Sequence, residues 1–543
     1  MKQRPFIENL YNGAMVRRSL MALFALWLCT VRFLAEPPPD STLPAGVRDA
    51  LERISAQSLR GHASFLASDL LEGRNTPSRG LAIAAEYIAA QFRRAGLKPL
   101  SSTQSYFQTA RWKLRKVDLS SARAELGAGD RTLRLTGQEM TVLHVEGLEV
   151  EGPLYKLRWE NIDRLKDAEE GALSPYVVML QALSPAELRS LPPEERKTRL
   201  RRIGDLRQLV PRLKPKAVVG WNEATRGDPD EAQQLVDPEN EGQRALRRFN
   251  PTAAILHSPE LKEFWEQLPE GPTEATLRLK LPVGSEEPVE LHNVAGILPG
   301  SDPVMKNSVV LVSAHYDHIG LGEPDSQGDR IYNGANDDAS GVASMLEIAA
   351  AMAASSQRPK RTVVFLALFG EEKGLLGAKY YVRHPIFPVR DTVANLNLEQ
   401  LGRTDSQQGV HRARLSPTGY SYSELTDVLE QAGALTGVEI YHDVRYSEAF
   451  FSRSDNLAFA EAGIPSTTVC VAFDFPEYHS PGDHWEKMDY ENLAKVSQTL
   501  LAAVWLLADQ PVAPSWKTDR YRRQSGPASP REQNPRPSSS SSK

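Results

Sequence analysis

Residues 362–374 read TVVFLALFGEEKG, an unbroken apolar and β-branched run that ends in a glycine and two adjacent glutamates, Glu371 and Glu372. A short run rich in Val, Thr and Leu and closed by glycine predicts a strand buried on both faces. The stretch 309–318, VVLVSAHYDH, repeats the pattern, with His315, Tyr316, Asp317 and His318 at its end. Two more such runs follow, Val393 to Leu398 and Ser466 to Ala472. Between the strand at 309–313 and the one at 362–368, Val342, Met345, Leu346, Ala349, Met352 and Ala353 recur at helical spacing, so these methionines read as core. Strands alternating with helices predict an α/β fold on a doubly wound, mainly parallel sheet.

Open sheets of this kind bind ligands beyond the C-terminal ends of their strands. Polar clusters occupy those places: His315 to His318, Gly370 to Gly374, Glu399, and Tyr478-His479-Ser480. A fifth cluster, Asn333 to Gly341, is a turn feeding the helix and contains Asp337 and Asp338. Taken singly, each has a plain explanation, such as a solvated glutamate pair or a helix cap. Together they bring imidazoles and carboxylates to one rim. Histidines and carboxylates with almost no cysteine suit a hydrolytic zinc site better than a structural one, which would use thiolates. The surplus of carboxylates suggests two ions sharing a bridging carboxylate. A general base must be a carboxylate that is not itself a ligand, and Glu371 beside Glu372 offers one of each.

These motifs resemble the co-catalytic di-zinc exopeptidases, a family that includes bacterial secreted aminopeptidases, glutamate carboxypeptidase and the glutaminyl cyclases. The resemblance rests on His315-Tyr316-Asp317, Asn336 to Gly341, Gly370-Glu371-Glu372 with Gly374, Asn397-Leu398-Glu399 with Gly402-Arg403, Ser454-Asp455, Gly463-Ile464-Pro465, and Tyr478-His479-Ser480 with Asp483. Upstream, Phe65 to Asp69 and Glu72-Gly73-Arg74 resemble the family's N-terminal helix and loop. The resemblance implies the zinc-exopeptidase fold, phosphorylase/hydrolase-like. It also implies two zinc ions per chain: one on His315, Glu399 and Asp337, the other on Glu372, His479 and the shared Asp337. Glu371 would be the base acting on a water activated by the metals. Asp317 would orient His315, Tyr478 would hydrogen-bond the oxyanion, and Arg453 and Asp455 would border the substrate. Glu399 stands where many aminopeptidases have aspartate. His318, Asp338, His384 and His442 are left as structural or surface residues.

The implied reaction is removal of the N-terminal residue from peptides. Rival readings on the same fold are a carboxypeptidase or a glutaminyl cyclase, and outside enzymology a binding protein whose metal ligands serve no turnover. Loss of ligands would mark the last of these, and none is lost.

At 543 residues the chain exceeds one ordinary core. The expected division is a signal peptide at 1–35, N-terminal helices of the peptidase domain at 36–105, an inserted α+β domain at 106–285, the catalytic domain at 286–510, and a tail at 511–543. The insert resembles a protease-associated domain in its runs at Pro175 to Leu180 and Lys214 to Trp221, between charged helical pieces such as Ser184 to Leu213, and would serve as a lid or as scaffold. Lys2, Arg4, Arg17 and Arg18, the apolar run Leu20 to Val31 and the prolines at 37–39 have the layout of a secretory leader. Export follows, with an uncleaved anchor as the alternative and no stable membrane contact once the leader is removed. Cys29 falls in the leader, which leaves Cys470 alone and no internal disulfide. A formal charge of -5 implies no nucleic-acid partner. The tail holds six prolines, eight serines and two acids in its 33 residues, a composition that predicts disorder.

Overall fold

The structure is a computed structural model that describes residues 43–144, 146–183, 187–188, 191–223, 233–239, 252–322, 324–406 and 409–522. The chain divides into two compact units, Met1–Pro44 and Ala45–Lys543. Of the first, only Leu43 and Pro44 are described, so the leader expected at 1–35 lies outside the described residues. The second unit carries both sheets.

The larger sheet has nine strands: β1 (Phe107–Lys116), β2 (Gln233–Val236), β3 (Ser285–Leu298), β4 (Val309–His315), β5 (Thr362–Leu368), β6 (Thr392–Leu398), β7 (Arg414–Pro417), β8 (Glu439–Ile440) and β9 (Ser466–Cys470). Their order across the sheet is β8-β7-β9-β6-β4-β5-β3-β1-β2. The four central strands, β9, β6, β4 and β5, are parallel, and every residue of β4 and β5 is buried. Burial on both faces is the reason β5 reads as an unbroken apolar and β-branched run. At the flanks the sheet turns antiparallel, with β3 against β5, β1 against β3, and β7 against β9. The sheet is therefore mixed: parallel through its four central strands and again at the β7–β8 edge, antiparallel where β3, β1, β2 and β7 join.

The longer helices around this sheet are α1 (Ala45–Glu52), α2 (Ala56–Leu66), α3 (Arg79–Arg94), α4 (Ser340–Ala354), α5 (Leu376–Arg383), α6 (Leu425–Thr436), α7 (Asn456–Glu461) and α8 (Tyr490–Asp509). α4 and α8 pack on one face with α2 against them, and α5 and α7 cover the other. On that second face Val309 and Leu311 of β4 and Val364 and Leu366 of β5 share a core with Tyr381, Ala458 and Phe459. α4 is buried nearly all round, which accounts for its methionines as core. The N-terminal helices are three, because the chain breaks at Arg53 to Ser55 and again at 67–78.

The second sheet has eight strands drawn from Arg123 to Leu281. Its one core gathers Leu126, Met179, Trp221, Trp265 and Leu277, and Ile162, Val178, Leu209 and Leu213 pack against its other face. The helix Pro193–Leu213 supplies the last two. The boundaries expected for this insert move inward: β1 lies in the large sheet, paired along its length with β3, and the second sheet begins only at Arg123. Alternating Ala110, Trp112 and Leu114 face the core, while exposed Arg111 and Lys113 pair with Glu290 and Glu286.

The tail also begins later than its composition predicts. Trp516 is 5% exposed, and its ring lies 6.3 Å from that of Phe451 and 5.3 Å from that of Tyr521. Its backbone bridges Ser423, and its Nε1 donates to the Gly463 carbonyl. Residues 511–522 are thus folded against the body, and 523–543 lie outside the described residues. Trp516→Ala should lower unfolding stability by about 3 kcal/mol, as deletion of a buried aromatic does, whereas a solvated residue would give no change. Urea unfolding followed by circular dichroism measures this.

Candidate metal centre

Each element that brings a polar side chain to the rim ends or turns at the same edge of the sheet. His315 is the last residue of β4, Glu371 and Glu372 follow β5, Glu399 follows β6, and His479 lies in the loop after β9. Asp337 sits in the turn before α4. That turn is built tightly: Asp338 Oδ1 accepts from the amides of Gly341 at 2.9 Å and Gln400 at 3.3 Å. A Cβ at Gly341 would stand 2.3 Å from the Leu398 carbonyl, so only glycine lets α4 start against β6. Asp483 accepts from the amides of Asn336 at 3.0 Å and Asp337 at 3.1 Å, which fixes the turn from the other side.

Asp337 is the meeting point. Its Oδ1 is 3.2 Å from His315 Nε2, and its Oδ2 is 3.1 Å from His479 Nε2. Glu372 Oε1 lies 3.3 Å from His479 Nε2 and 2.9 Å from His318 Nδ1. Among the described residues two groups of three could hold a cation, His315 with Asp337 and Glu399, and His318 with Asp337 and Glu372; within each, the ligand atoms fall within 4.8 Å of one another. His318, set aside on sequence grounds, is therefore inside the cluster, fully buried, with its ring edge-on to that of His479. His384 and His442 are elsewhere, paired with Glu239 and Glu448.

Several of these buried atoms face one another in ion pairs without a well-aligned hydrogen bond, namely His315 Nε2, His318 Nδ1 and Glu372 Oε1, while His318 Nε2 and Glu399 Oε2 have no hydrogen-bond partner. Buried polar atoms are rarely left this way, and a convergent set of orphaned imidazole and carboxylate atoms fits a cation. No thiolate competes. Cys470 lines the cleft, but burial pushes its thiol well up, with Glu399, Asp338 and Asp337 adding to the effect.

The carboxylates around the cluster are held by distinct means. Asp317 accepts from the Glu371 amide at 3.1 Å and from Thr76 Oγ1 at 3.1 Å. Its carboxylate is 3.7 Å from His315 Nδ1, whose nearer acceptor is the Asp317 carbonyl at 3.2 Å. Burial raises Glu371 well above the usual carboxyl range; Glu372, Glu399 and Asp455 reinforce this and His315 opposes it. Burial also lifts Glu399 to about 7 and Asp455 to about 8. His479 rises to about 10, since its hydrogen bonds to Asp337 and Glu372 outweigh burial.

A cleft of about 460 Å³ opens over the cluster, lined by Glu371, Lys379, Phe450, Arg453, Phe473 and Tyr478 among others. Tyr478 stacks on His479 with ring centroids 3.9 Å apart. Arg453 lies over the Phe450 ring at 4.3 Å. Asp455, expected beside Arg453 at the substrate, is instead 0% exposed beneath the cleft, and neither of its carboxylate oxygens has a hydrogen-bond partner. It starts α7, whose burial carries it inward.

Comparison with known proteins agrees with this layout. Residues 293–504 match the model of Peptidase family M28. A probable zinc metalloprotease of Pyrenophora tritici-repentis is 29% identical over 268 residues, which are 42% of this chain and 59% of that protein. A probable leucine aminopeptidase of Arthroderma benhamiae is 26% identical over 225 residues, 40% of this chain and 57% of that protein. The chain thus spans less than two thirds of these curated relatives. Among solved structures, an aminopeptidase from Aneurinibacillus sp. strain AM-1 superposes with a TM-score of 0.54 at 18% identity, covering 88% of this chain and 100% of that one. A zinc aminopeptidase from Bacillus subtilis does so at 0.51 and 18%, covering 84% and 97%. These two likenesses show a common fold. The family match lies over the strands and loops that carry the buried cluster, so it is residues 293–504 that resemble a domain of peptidase family M28.

Proposed function

We propose that this chain is a two-zinc aminopeptidase that hydrolyses the peptide bond next to a free N-terminus. The observation that supports it most is Asp337, with one carboxylate oxygen toward His315 and the other toward His479, as a carboxylate shared by two ions requires. On this reading His315 and Glu399 complete one ion's ligands, and Glu372 and His479 the other's. The imidazole and carboxylate donors, and relatives named as zinc metalloproteases, favour zinc.

Bound there, zinc would polarise the scissile carbonyl and make a water acidic enough to attack it near neutral pH. Glu371 is the base. It lines the cleft, binds neither ion, and takes the proton from the attacking water before passing it to the departing amine nitrogen. Its raised affinity for a proton suits that relay. Tyr478 donates to the carbonyl oxygen as charge develops, while Arg453 contacts the peptide beyond the cleaved bond. Peptides are the partners. Export by a leader in 1–35 accords with the role, and among the described residues no helix is long and apolar enough to cross a membrane.

Glu371→Gln should cut hydrolysis of aminoacyl anilides by about 10² to 10⁴-fold while about two zinc ions per chain remain by elemental analysis. Undiminished turnover would remove Glu371 from this role, and equal cleavage of N-acylated substrates would remove the preference for a free N-terminus.

The metal-free protein should have a distinctive pH dependence. Asp483, Glu399 and Asp455, raised by burial to about 6, 7 and 8, stay protonated in the fold where the unfolded chain has released its protons. The folded state then binds more protons, so stability falls as pH rises from about 4 to 8. His479, raised to about 10, adds stability below its ordinary value that is lost toward that pH, which is the same direction. Glu372, lowered to about 2, acts only below the usual carboxylate range. Thermal melts of chelator-treated protein should show Tm declining between pH 5 and pH 8, with the rise on adding zinc largest at pH 8. A Tm that climbs with pH over this range would contradict the electrostatics.

A further inference from the structure

We propose that Arg74 is a positioning residue of the metal centre, tying two ligand-bearing loops to the N-terminal segment 66–76. The proposal rests on the reading of the site as a metal centre.

Arg74 is 1% exposed, and its guanidinium donates to backbone carbonyls, with no hydrogen bond to a carboxylate. Nε reaches the Tyr316 carbonyl at 2.8 Å, between His315 and Asp317. Nη1 donates to the carbonyls of Leu66 and, at 2.7 Å, Asn333; Nη2 donates to the Gly334 carbonyl at 2.9 Å. Asn333 and Gly334 open the turn that holds Asp337. One planar fork therefore spans the loop after β4 and the loop before α4. Lysine, with a single nitrogen on a flexible stem, cannot reproduce that geometry.

The neighbours of Arg74 make the same connection. The His318 amide donates to the Arg74 carbonyl at 3.3 Å. Thr76 Oγ1 donates to Asp317 Oδ2, the carboxylate that also receives the Glu371 amide. Asn333 Nδ2 donates to the Ala67 carbonyl and to Asp69 Oδ1. The backbone is shaped for this approach, with positive φ at Glu72, Gly73 and Arg74 in succession. A Cβ at Gly73 would lie 2.4 Å from the Tyr332 carbonyl and 2.6 Å from that of Gly320.

Charge supports the role. Burial lowers the guanidinium to about 10, against the pull of Asp317, Asp483, Asp338 and Asp337, so it remains cationic at neutral pH. It offsets part of the negative charge on the loops that it orders, without occupying a ligand position. Residues that orient metal ligands from behind are commonly worth about 10 to 100-fold in metal affinity.

The test is zinc dissociation measured by chelator competition on full-length wild type, Arg74→Lys, Arg74→Met, Thr76→Val and Thr76→Ser, with melts of each metal-free protein alongside. Arg74→Lys and Arg74→Met should weaken zinc by about 10 to 100-fold. Thr76→Val should weaken it by a smaller factor, and Thr76→Ser should restore the wild-type value. A merely structural role would lower metal-free melting temperatures and leave zinc affinity unchanged. Zinc affinity within twofold of wild type in Arg74→Lys and Thr76→Val overturns the proposal. If the Arg74 variants fail to fold, the two Thr76 variants decide it. A wild-type chain that takes up no zinc removes the underlying reading, and this proposal with it.

Discussion

The structure depends on one constraint: a set of carboxylates is buried at the rim of a sheet, where only positive charge makes them tolerable. Asp337, Asp338, Glu371, Glu372, Glu399, Asp455 and Asp483 all lie within this region, and burial acts against the charged form of each. The protein supplies part of the compensation through His315, His318, His479 and Arg74. Orphaned atoms on His315, Glu372 and Glu399 mark where compensation from the chain alone runs out. An arrangement of that kind costs stability in the polypeptide, and it is tolerated where function needs it.

The large sheet makes this possible because its central strands are parallel. Parallel order points four C-terminal ends the same way, so loops far apart in sequence converge on one edge. The antiparallel flanks widen the platform and carry the chain out to the second sheet and back. Loop supports such as Asp338 on Gly341 and Asp483 on Asn336 then convert a loose convergence into defined positions.

Much of this was legible in the sequence, for a physical reason. Strands buried on both faces favour apolar and β-branched residues, and the few polar ones, such as Ser313, Asn395, Asn397 and Ser466, bond to one another, so the charged residues and histidines at their ends stand out. His315, Glu372, Glu399 and His479 stood out that way, and Asp337 through the polar turn that feeds α4. Other features left weaker traces. β1 alternates exposed cations with core residues, a pattern that matches any half-buried strand and does not reveal which sheet it joins. His318 comes three residues after His315, beyond the strand end, where no periodicity predicts direction. Arg74 acts through backbone carbonyls, which are the same in every sequence. Trp516 and Tyr521 were masked by the proline and serine around them, because composition averages over the residues that anchor a segment. Asp455 follows Arg453 by two residues but opens a buried helix, so neighbours in sequence parted in depth.

The supports behind the cleft come from stretches far apart in the chain. Arg74 reaches carbonyls 242 to 260 residues downstream, and Trp516 packs on Phe451, next to the cleft residue Phe450. Contacts of such separation require large loops to close before they give any return. The ligands themselves come from the middle of the chain, so the rim is completed by contacts that no single stretch of sequence contains.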